Sequence, residues 1–354
     1  MAPSQIISAQ GGGEVSARRR WWHSPLLPIG FALLLLAAWS LTVGAYPVTL
    51  EEAFAALRAR LQGGASGGAA TIDTVLFGIR IPRMTAAITV GASLAAAGAC
   101  YQAIFRNPLV SPDILGVSAG AGMGAVLGIF LSLPVVGVQL LAFLGGMASV
   151  GLVVAIAASM RGRESVLTLI LAGVVIGALA GACTSLLKML ADPNDQLPAI
   201  TFWLLGSLSA VNGSDILAVL PFALLGLAPL VALRWRISVL TLDDDEAQAL
   251  GVPVRATRLL VIGCATLITS SVVAIAGVIG WVGLIIPHIA RMLVGPAFAR
   301  LLPASGLLGG AYLLLVDTTA RTLSSNEVPL GLLTAVVGAP FFLWLLARGR
   351  RGWA

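Results

Sequence analysis

Charged residues are scarce in this chain of 354 residues. Asp, Glu, Lys and Arg make up 10% of it, against about 25% in soluble globular proteins. So few charges cannot cover a water-exposed surface of this size, which excludes a soluble globular fold. Lysine is nearly absent, and the single Lys188 follows Leu187, so the P-loop pattern G-x-x-x-x-G-K-[ST] does not occur. If ATP drives this protein, a separate subunit must bind and hydrolyse it.

Cysteine and histidine are also few. The three cysteines, Cys100, Cys183 and Cys264, lie in apolar segments with no pairing pattern, which predicts neither a disulfide nor a metal site. Of the two histidines, His23 lies near the N-terminus and His288 lies in a segment broken by Gly and Pro. A histidine there is either a ligand or, as we favour, the partner of local backbone groups. No H-E-x-x-H pair occurs, so a protease of that kind is excluded.

Apolar residues are abundant. They make up 58% of the chain, and the mean hydropathy is +0.99. The apolar runs are continuous and about 18–25 residues long, as helices crossing a core of about 30 Å require. Barrel strands would alternate over about 10 residues, and no such alternation occurs. The sequence therefore predicts an all-α polytopic membrane protein with about ten transmembrane helices, at 28–46, 82–105, 114–132, 137–159, 165–190, 214–233, 258–278, 280–294, 304–321 and 329–347.

The chain divides into a short tail and one long domain. Residues 1–25 are polar and Gly-rich and are predicted to form a cytoplasmic tail. Residues 26–354 are predicted to form a single transmembrane domain. The first apolar run is too long for a signal peptide and lacks a cleavage site, which indicates an uncleaved first span. The apolar stretch 200–210 is too short to cross and is predicted to be a half-buried helix on the outer side.

The arginines predict the orientation. With an even number of spans both termini lie on one side, and cytoplasmic loops are enriched in Lys and Arg. If the termini are cytoplasmic, fifteen of the 21 basic residues lie inside. We therefore predict cytoplasmic termini. The net charge of +6 comes from basic residues at the ends of the predicted spans, so it does not indicate nucleic-acid binding. The six basic residues predicted to lie outside are Arg58, Arg60, Arg80, Arg83, Lys188 and Arg321.

Two segments outside the spans carry helix signals. Thr49 and Glu52 form a capping-box pattern, which predicts a short helix on the outer surface. On the inside, within 238–257, Thr241 and Asp244 form a second such pattern. Acidic residues then crowd the first turn, where the helix dipole favours them. Gly251 suits a helix end, so we predict two short helices with a sharp bend, the alternative being a solvated loop. The remaining residues of this pattern are Asp243, Asp245, Glu246, Leu250 and Pro253.

Glycine recurs every four residues in two predicted spans. The third span carries such a row, and the fifth carries another. This spacing places the glycines of each span on one helix face, where backbones of neighbouring helices can approach closely. The rows therefore predict helix packing, the alternative being that some members line a transport pathway that admits a bulky solute. The rows are Gly116, Gly120, Gly124 and Gly128, and Gly173, Gly177 and Gly181.

Ionisable residues within the spans are few. Asp317 lies one helical turn from Arg321, whereas Lys188 and Asp113 lie near span ends. No chain of carboxylates or histidines crosses the bilayer, as the proton relays of ion-coupled transporters require. The sequence therefore disfavours an ion-coupled secondary transporter, although that class and a purely structural membrane protein remain alternatives.

Six stretches resemble the FecCD family, the permeases of type II ABC importers for iron chelates, haem and cobalamin. They follow the order of that family from about residue 30 to the C-terminus, and the ordered set is far more specific than any one stretch. The first 25 residues carry no resemblance. The stretches are Arg80–Arg83 (RIPR), Phe105–Leu109 (FRNPL), Leu115–Ala121 (LGVSAGA), Ala249–Pro253 (ALGVP), Gly280–Arg291 (GWVGLIIPHIAR) and Leu330–Phe342 (LGLLTAVVGAPFF).

The resemblance implies the type II ABC importer permease fold and a set of partners. These are a second copy of the chain, two copies of a cytoplasmic ABC ATPase that holds the ATP and magnesium, and a periplasmic or lipid-anchored substrate-binding protein, in a bacterial plasma (inner) membrane. The chain itself would be no enzyme and would bind no cofactor. Ferric siderophore is the expected cargo, with haem, cobalamin or another metal chelate or oxyanion as alternatives.

The resemblance also implies roles for particular residues. On the outer face Arg80, Arg83 and Arg321 would receive acidic residues of the binding protein, the alternative being lipid headgroups or the loop carboxylates Asp73 and Glu327. Triple replacement by Glu is expected to weaken docking while the permease still folds. The pathway or its packing would involve Gly173, Gly177, Gly181, Gly331, Thr334 and Gly338. Contact with the ATPase would involve Asp243, Asp244, Asp245, Glu246, Ala249, Leu250, Gly251, Val252 and Pro253.

Overall fold

The computed structural model describes residues 25–44, 46–62, 70–160, 166–324 and 327–349. Within these ranges the regular structure is helical and contains no β-strand, which confirms the all-α prediction. The predicted N-terminal tail lies, apart from Pro25, outside the described residues.

Ten helices correspond one to one to the ten predicted spans. Six of them are long and apolar enough to cross a membrane on their own, and four are shorter apolar helices. The second crossing is lengthened at its outer end by a helical turn and a π-helical segment, Thr74–Arg80, into one helix of 34 residues, Thr71–Ile104. The ten are α1 Leu26–Thr42, α4 Ile81–Ile104, α5 Val117–Phe130, α6 Val135–Ser159, α7 Val166–Leu190, α9 Gly213–Ala232, α12 Val254–Ala276, α13 Val282–Val294, α14 Phe298–Leu323 and α15 Leu330–Gly349.

Five shorter helices lie outside the apolar crossings. Four of them connect crossings, and the fifth, α3, is the turn that lengthens the second crossing. The predicted surface helix is α2, and the capping box at its start is confirmed: the Glu52 amide donates to the Thr49 hydroxyl at 3.2 Å, and the Thr49 amide donates to the Glu52 carboxylate at 2.8 Å. The bonds from the Thr49 backbone and side chain lower the pKa of Glu52.

The predicted short outer helix begins four residues earlier than expected, as α8. The five are α2 Leu50–Leu61, α3 Ala70–Asp73, α8 Gln196–Leu205, α10 Arg234–Val239 and α11 Asp244–Ala249.

Two helices form the centre of the bundle. In the most apolar window of α4 and of α12, 72% of the residues are buried, compared with 22% in α7. Close approach at the centre depends on glycine. A Cβ atom at Gly98 of α4 would lie 1.9 Å from the Gly283 carbonyl oxygen of α13, and one at Gly91 would lie 2.1 Å from the Gly309 carbonyl oxygen of α14. The helix α7 is peripheral, and in the described part of the chain nothing packs against its apolar outer face.

The glycine row of the third span packs as predicted. A Cβ atom at Gly120 would lie 2.5 Å from the Gly145 carbonyl oxygen of α6, and one at Gly124 would lie 2.0 Å from the Leu141 carbonyl oxygen. No side chain fits in those gaps, so α5 and α6 are in backbone contact because these positions are glycine.

Candidate functional site

A short acidic loop follows α10. We call residues 240–253, which include α11, the α11 loop. The predicted capping box here is wrong. The Thr241 hydroxyl donates to the Ser238 carbonyl at 2.7 Å, and Asp243 at the N-cap makes no side-chain capping bond. The chain turns at Gly251, whose φ of +80° suits glycine, and α12 then begins at Val254. The second of the two predicted short helices is therefore not a separate element. The residues from Val254 onward already belong to α12, the seventh crossing.

Two arginines from other elements hold this loop. Arg106, just after α4, donates to Asp243 at 2.6 Å and to Asp244 at 2.7 Å. Arg258 of α12 donates to both carboxylate oxygens of Asp244, at 2.9 and 3.1 Å. The carboxylate of Asp244 thus binds two arginines, which explains why it does not serve as a helix cap. We call Arg106, Arg258, Asp243 and Asp244 the arginine clamp. Hydrogen bonds between charged groups are stronger than neutral ones, so these contacts fix the orientation of the loop as well as adding energy.

The rest of the loop divides into a buried and an exposed side. Ala247 and Val252 are buried and belong to the hydrophobic core, together with Val239 and Leu240 just before them. This anchoring leaves the opposite side free to contact a partner. Of the residues implicated in ATPase contact, Asp245, Glu246, Ala249, Leu250, Gly251 and Pro253 are exposed, Asp243 and Asp244 belong to the clamp, and Val252 is buried.

At the opposite end of the bundle lie the three arginines predicted to dock a binding protein. Arg80 and Arg83 are only 4% and 6% exposed. Arg83 forms an ion pair with Asp317 at 2.9 Å and another with Glu327 at 2.6 Å. The docking role stays a prediction, but in this structure Arg83 faces carboxylates of its own chain.

The other two arginines of this group also have internal partners. Arg80 donates to the backbone carbonyls of Leu41, in the last turn of α1, and of Tyr46, in the segment that follows it. Arg321 donates to the carbonyl and hydroxyl oxygens of Ser40, both at 2.7 Å. The three arginines therefore tie α1, α4, α14 and the segment before α15 together. Sequence analysis identified the loop carboxylate Glu327 as a possible partner, and Asp317 is the partner that it missed.

The glycines predicted for the pathway fall into two groups. A Cβ atom at Gly173 would lie 2.2 Å from the Ile114 carbonyl oxygen, so Gly173 packs against the turn before α5. By contrast, a Cβ atom at Gly177 would come no closer than 4.0 Å to another atom, and one at Gly181 would meet nothing within 4 Å. Gly177 therefore lies beside Gly116 with room to spare. Only Gly181 lies on the exposed side of α7, as a residue facing a pathway or a second copy would.

The three residues of α15 that were predicted for the pathway, Gly331, Thr334 and Gly338, face the interior of the bundle. A Cβ atom at Gly331 would lie 2.5 Å from the Leu205 carbonyl oxygen, and one at Gly338 would lie 2.7 Å from the Trp281 ring. Thr334 is fully buried and donates to the Gly331 carbonyl at 3.1 Å. These are contacts of helix packing. The exposed side of α15 is instead apolar, with Val336 the most exposed large residue at 70%.

His288 departs from the sequence-based expectation. Its Nδ1 atom is buried and has no hydrogen-bond partner among the described residues, so this nitrogen does not satisfy the local backbone. The side chain lies on α13 beside Leu109 and Phe342.

Known proteins align with the chain over almost its whole length. Residues 32–348 match the FecCD transport family. The molybdate import system permease protein MolB of Haemophilus influenzae is 41% identical over 93% of this chain and 97% of the relative. The Fe(3+) dicitrate transport system permease protein FecD of Escherichia coli is 40% identical over 78% of this chain and 86% of the relative.

A solved structure agrees with the sequence comparisons. It is described as an inward-facing conformation of a metal-chelate type ABC transporter, and it superimposes with a TM-score of 0.82 at 39% identity, over 91% of this chain and 98% of that one. The family match, over residues 32–348, extends from α1 into α15 and includes the α11 loop. The chain therefore belongs to the FecCD transport family and is a multi-pass membrane permease with the ABC importer fold.

Proposed function

We propose that this chain is the membrane-spanning subunit of an ATP-driven importer, with the α11 loop as its contact to an ABC ATPase. The observation that carries the proposal is the construction of the loop. Arginines from two crossings hold its acidic start, and core side chains anchor its middle. Its exposed side presents Glu246, Leu250 and Pro253. A rigid loop anchored to α4 and α12 can pass a movement of the ATPase to the centre of the bundle. In this proposal the loop and both termini lie in the cytoplasm.

A second copy of the chain completes the transport pathway in this proposal. Among the described residues the apolar sides of α7 and α15 have no partner, and Met189 of α7 is 84% exposed. An apolar face of this kind tolerates either lipid or another subunit. We place a copy of the chain there because Gly181 leaves room for a solute between two α7 helices.

The proposed cargo is an iron chelate. FecD, named for Fe(3+) dicitrate, supports this choice, and an apolar pathway wall suits a conduit that does not retain its cargo. Molybdate is the second candidate, because the relative MolB, at 41% identity, is named for molybdate import. Selection between the two would rest with the separate substrate-binding protein.

The function is tested by reconstitution. The chain is co-expressed with candidate ABC ATPases, and the complex is placed in proteoliposomes with binding protein loaded with a ferric chelate, haem, cobalamin or molybdate. We expect a complex of two permease and two ATPase chains and ATP-dependent uptake of the ferric chelate. If only molybdate is taken up, the cargo is molybdate and not an iron chelate. Uptake driven by an ion gradient without an ATPase would overturn the proposal.

Asp244→Asn is expected to uncouple transport from ATP hydrolysis. The change removes the charge that holds Arg106 and Arg258, so α11 loses its fixed orientation while the buried Ala247 and Val252 still anchor the loop. We expect uptake to fall about tenfold or more, with the ATPase remaining bound, because breaking a hydrogen bond to a charged group costs about 1.5–3 kcal/mol. Glu51→Gln is the control, since Glu51 is an exposed carboxylate of α2 that lies outside the α11 loop. Equal uptake by the two variants would contradict a role for the clamp.

A further inference from the structure

A long groove runs along the outside of the bundle, away from the regions described above. It lies between α4, α9, α12 and α14 and has a volume of about 540 Å³. Its wall is apolar apart from Thr89 and Ser93 of α4 and one charged side chain, Arg234, at the end where α9 leads into α10. We call it the α9 groove.

Small residues on facing helices create the groove. Ala92 and Ala96 of α4, Ala223 of α9 and Gly306 of α14 all line it. A Cβ atom at Gly306 would meet nothing within 4 Å, so the space beside this glycine is open and is not filled by a neighbouring helix. Tight packing is the rule in protein interiors, and an open apolar groove facing the bilayer is therefore a place for a ligand.

The groove has the length of a lipid chain. Its wall on α9 runs from Leu220 to Val231, and Arg234 follows at the start of α10. At 1.5 Å per residue the part on α9 is about 16 Å long, close to the roughly 15 Å depth of one leaflet in a hydrocarbon core of about 30 Å.

The positive charge of Arg234 at the end of the groove favours an anionic headgroup. Arg234 is exposed, and among the described residues its side chain has no hydrogen-bond or ion-pair partner. Arg300 is also exposed and follows Ala299, which lines the groove at the same end. Basic residues at the membrane end of a cleft between crossing helices favour anionic lipid headgroups, and their side chains extend toward the interface.

We propose that the α9 groove binds an anionic phospholipid, with one acyl chain along α9 and the phosphate at Arg234. The acyl chain covers apolar wall that no side chain of this protein covers, and the headgroup supplies the counter-charge that Arg234 lacks. The proposal depends only on the chain being a membrane protein, so it stands or falls independently of the proposed transport function.

The test is native mass spectrometry of the full chain purified with an equimolar mixture of phosphatidylglycerol and phosphatidylethanolamine. We expect preferential retention of one phosphatidylglycerol per chain. In Arg234→Gln this preference should fall about fivefold, the size expected for one basic residue at an anionic membrane surface. The matched control is Arg236→Gln: Arg236 is equally exposed two residues further on and does not line the groove.

A second variant tests the apolar part. Gly306→Leu fills the groove and is expected to abolish retention of the lipid. Gly263→Leu is its control, because a Cβ atom at Gly263 also meets nothing within 4 Å, and Gly263 lies outside the groove on α12. Monodisperse elution shows which variants fold. Equal retention of the two lipids by the unmodified chain, or retention by a folded Gly306→Leu variant equal to that of its control, would overturn the proposal.

Discussion

Replacing Arg83 with methionine is expected to lower the free energy of unfolding by about 3–5 kcal/mol, the range for removing one partner of a buried ion pair. The Asp317 carboxylate, which is 1% exposed, would lose the guanidinium that donates to both of its oxygens at 2.9 and 3.2 Å. Arg321 lies 4.0 Å from the same carboxylate, too far to replace those bonds. Thermal unfolding of the purified protein in detergent measures the loss.

The double variant Arg83→Met with Asp317→Leu is the decisive comparison. Removing both charges avoids an uncompensated buried carboxylate, so we expect the double variant to be more stable than either single variant. Arg58→Met serves as the control, because Arg58 is an exposed arginine of α2 on the same side of the membrane. If Arg83→Met unfolds at the same temperature as Arg58→Met, the ion pair does not stabilise this fold.

The same geometry changes the expectation for the triple replacement of Arg80, Arg83 and Arg321 by glutamate. A carboxylate at position 83 would face Asp317 and Glu327 in a buried site. Like charges in a poorly solvated place repel strongly, so the variant is expected to misfold. A docking test therefore needs substitutions that keep the Arg83–Asp317 pair.

Replacing Gly98 with alanine is expected to lower the free energy of unfolding by about 3 kcal/mol or more, at the upper end of the range for overpacked cores. The added methyl carbon would lie 1.9 Å from the Gly283 carbonyl oxygen, which belongs to the backbone of α13 and has no flexible end that can move aside. The two helices would have to separate at the most buried part of the bundle. Unfolding temperature and the yield of monodisperse protein measure the effect.

Gly263→Ala is the matched control for that substitution. Gly263 lies in the middle of α12, and a Cβ atom there meets nothing within 4 Å. Alanine favours the helix more than glycine does, so this control should keep or slightly raise the stability. A Gly98→Ala variant as stable as the control would show that α4 and α13 are further apart than the structure places them.

Local patterns predicted the helices well. Each predicted crossing overlaps a helix, because a run of about 20 apolar residues has only one low-energy structure in a bilayer. The capping box at Thr49 was also correct, since its two hydrogen bonds join residues three positions apart. The similar pattern at Thr241 failed, because the carboxylate of Asp244 binds Arg106, 138 positions away in the chain, and Arg258.

Glycine spacing predicted helix contact but not which face makes it. The row in α5 packs throughout, whereas in α7 Gly173 packs tightly, Gly177 only loosely and Gly181 lies open. Both rows have the same period. The difference depends on which helix lies opposite, and no property of one helix specifies that.

The sequence by itself determined that the chain is a helical membrane protein with about ten crossings. Each crossing is specified by its own run of about 20 consecutive apolar residues, without reference to the rest of the chain. Its ordered motifs also indicated the family. Only the tertiary structure decided what the charged groups do. Arg83 and Asp317 are 234 positions apart, so their pairing depends on α4 and α14 lying side by side. The α9 groove has the same origin, because it is the space left where small residues of three different crossings face one another.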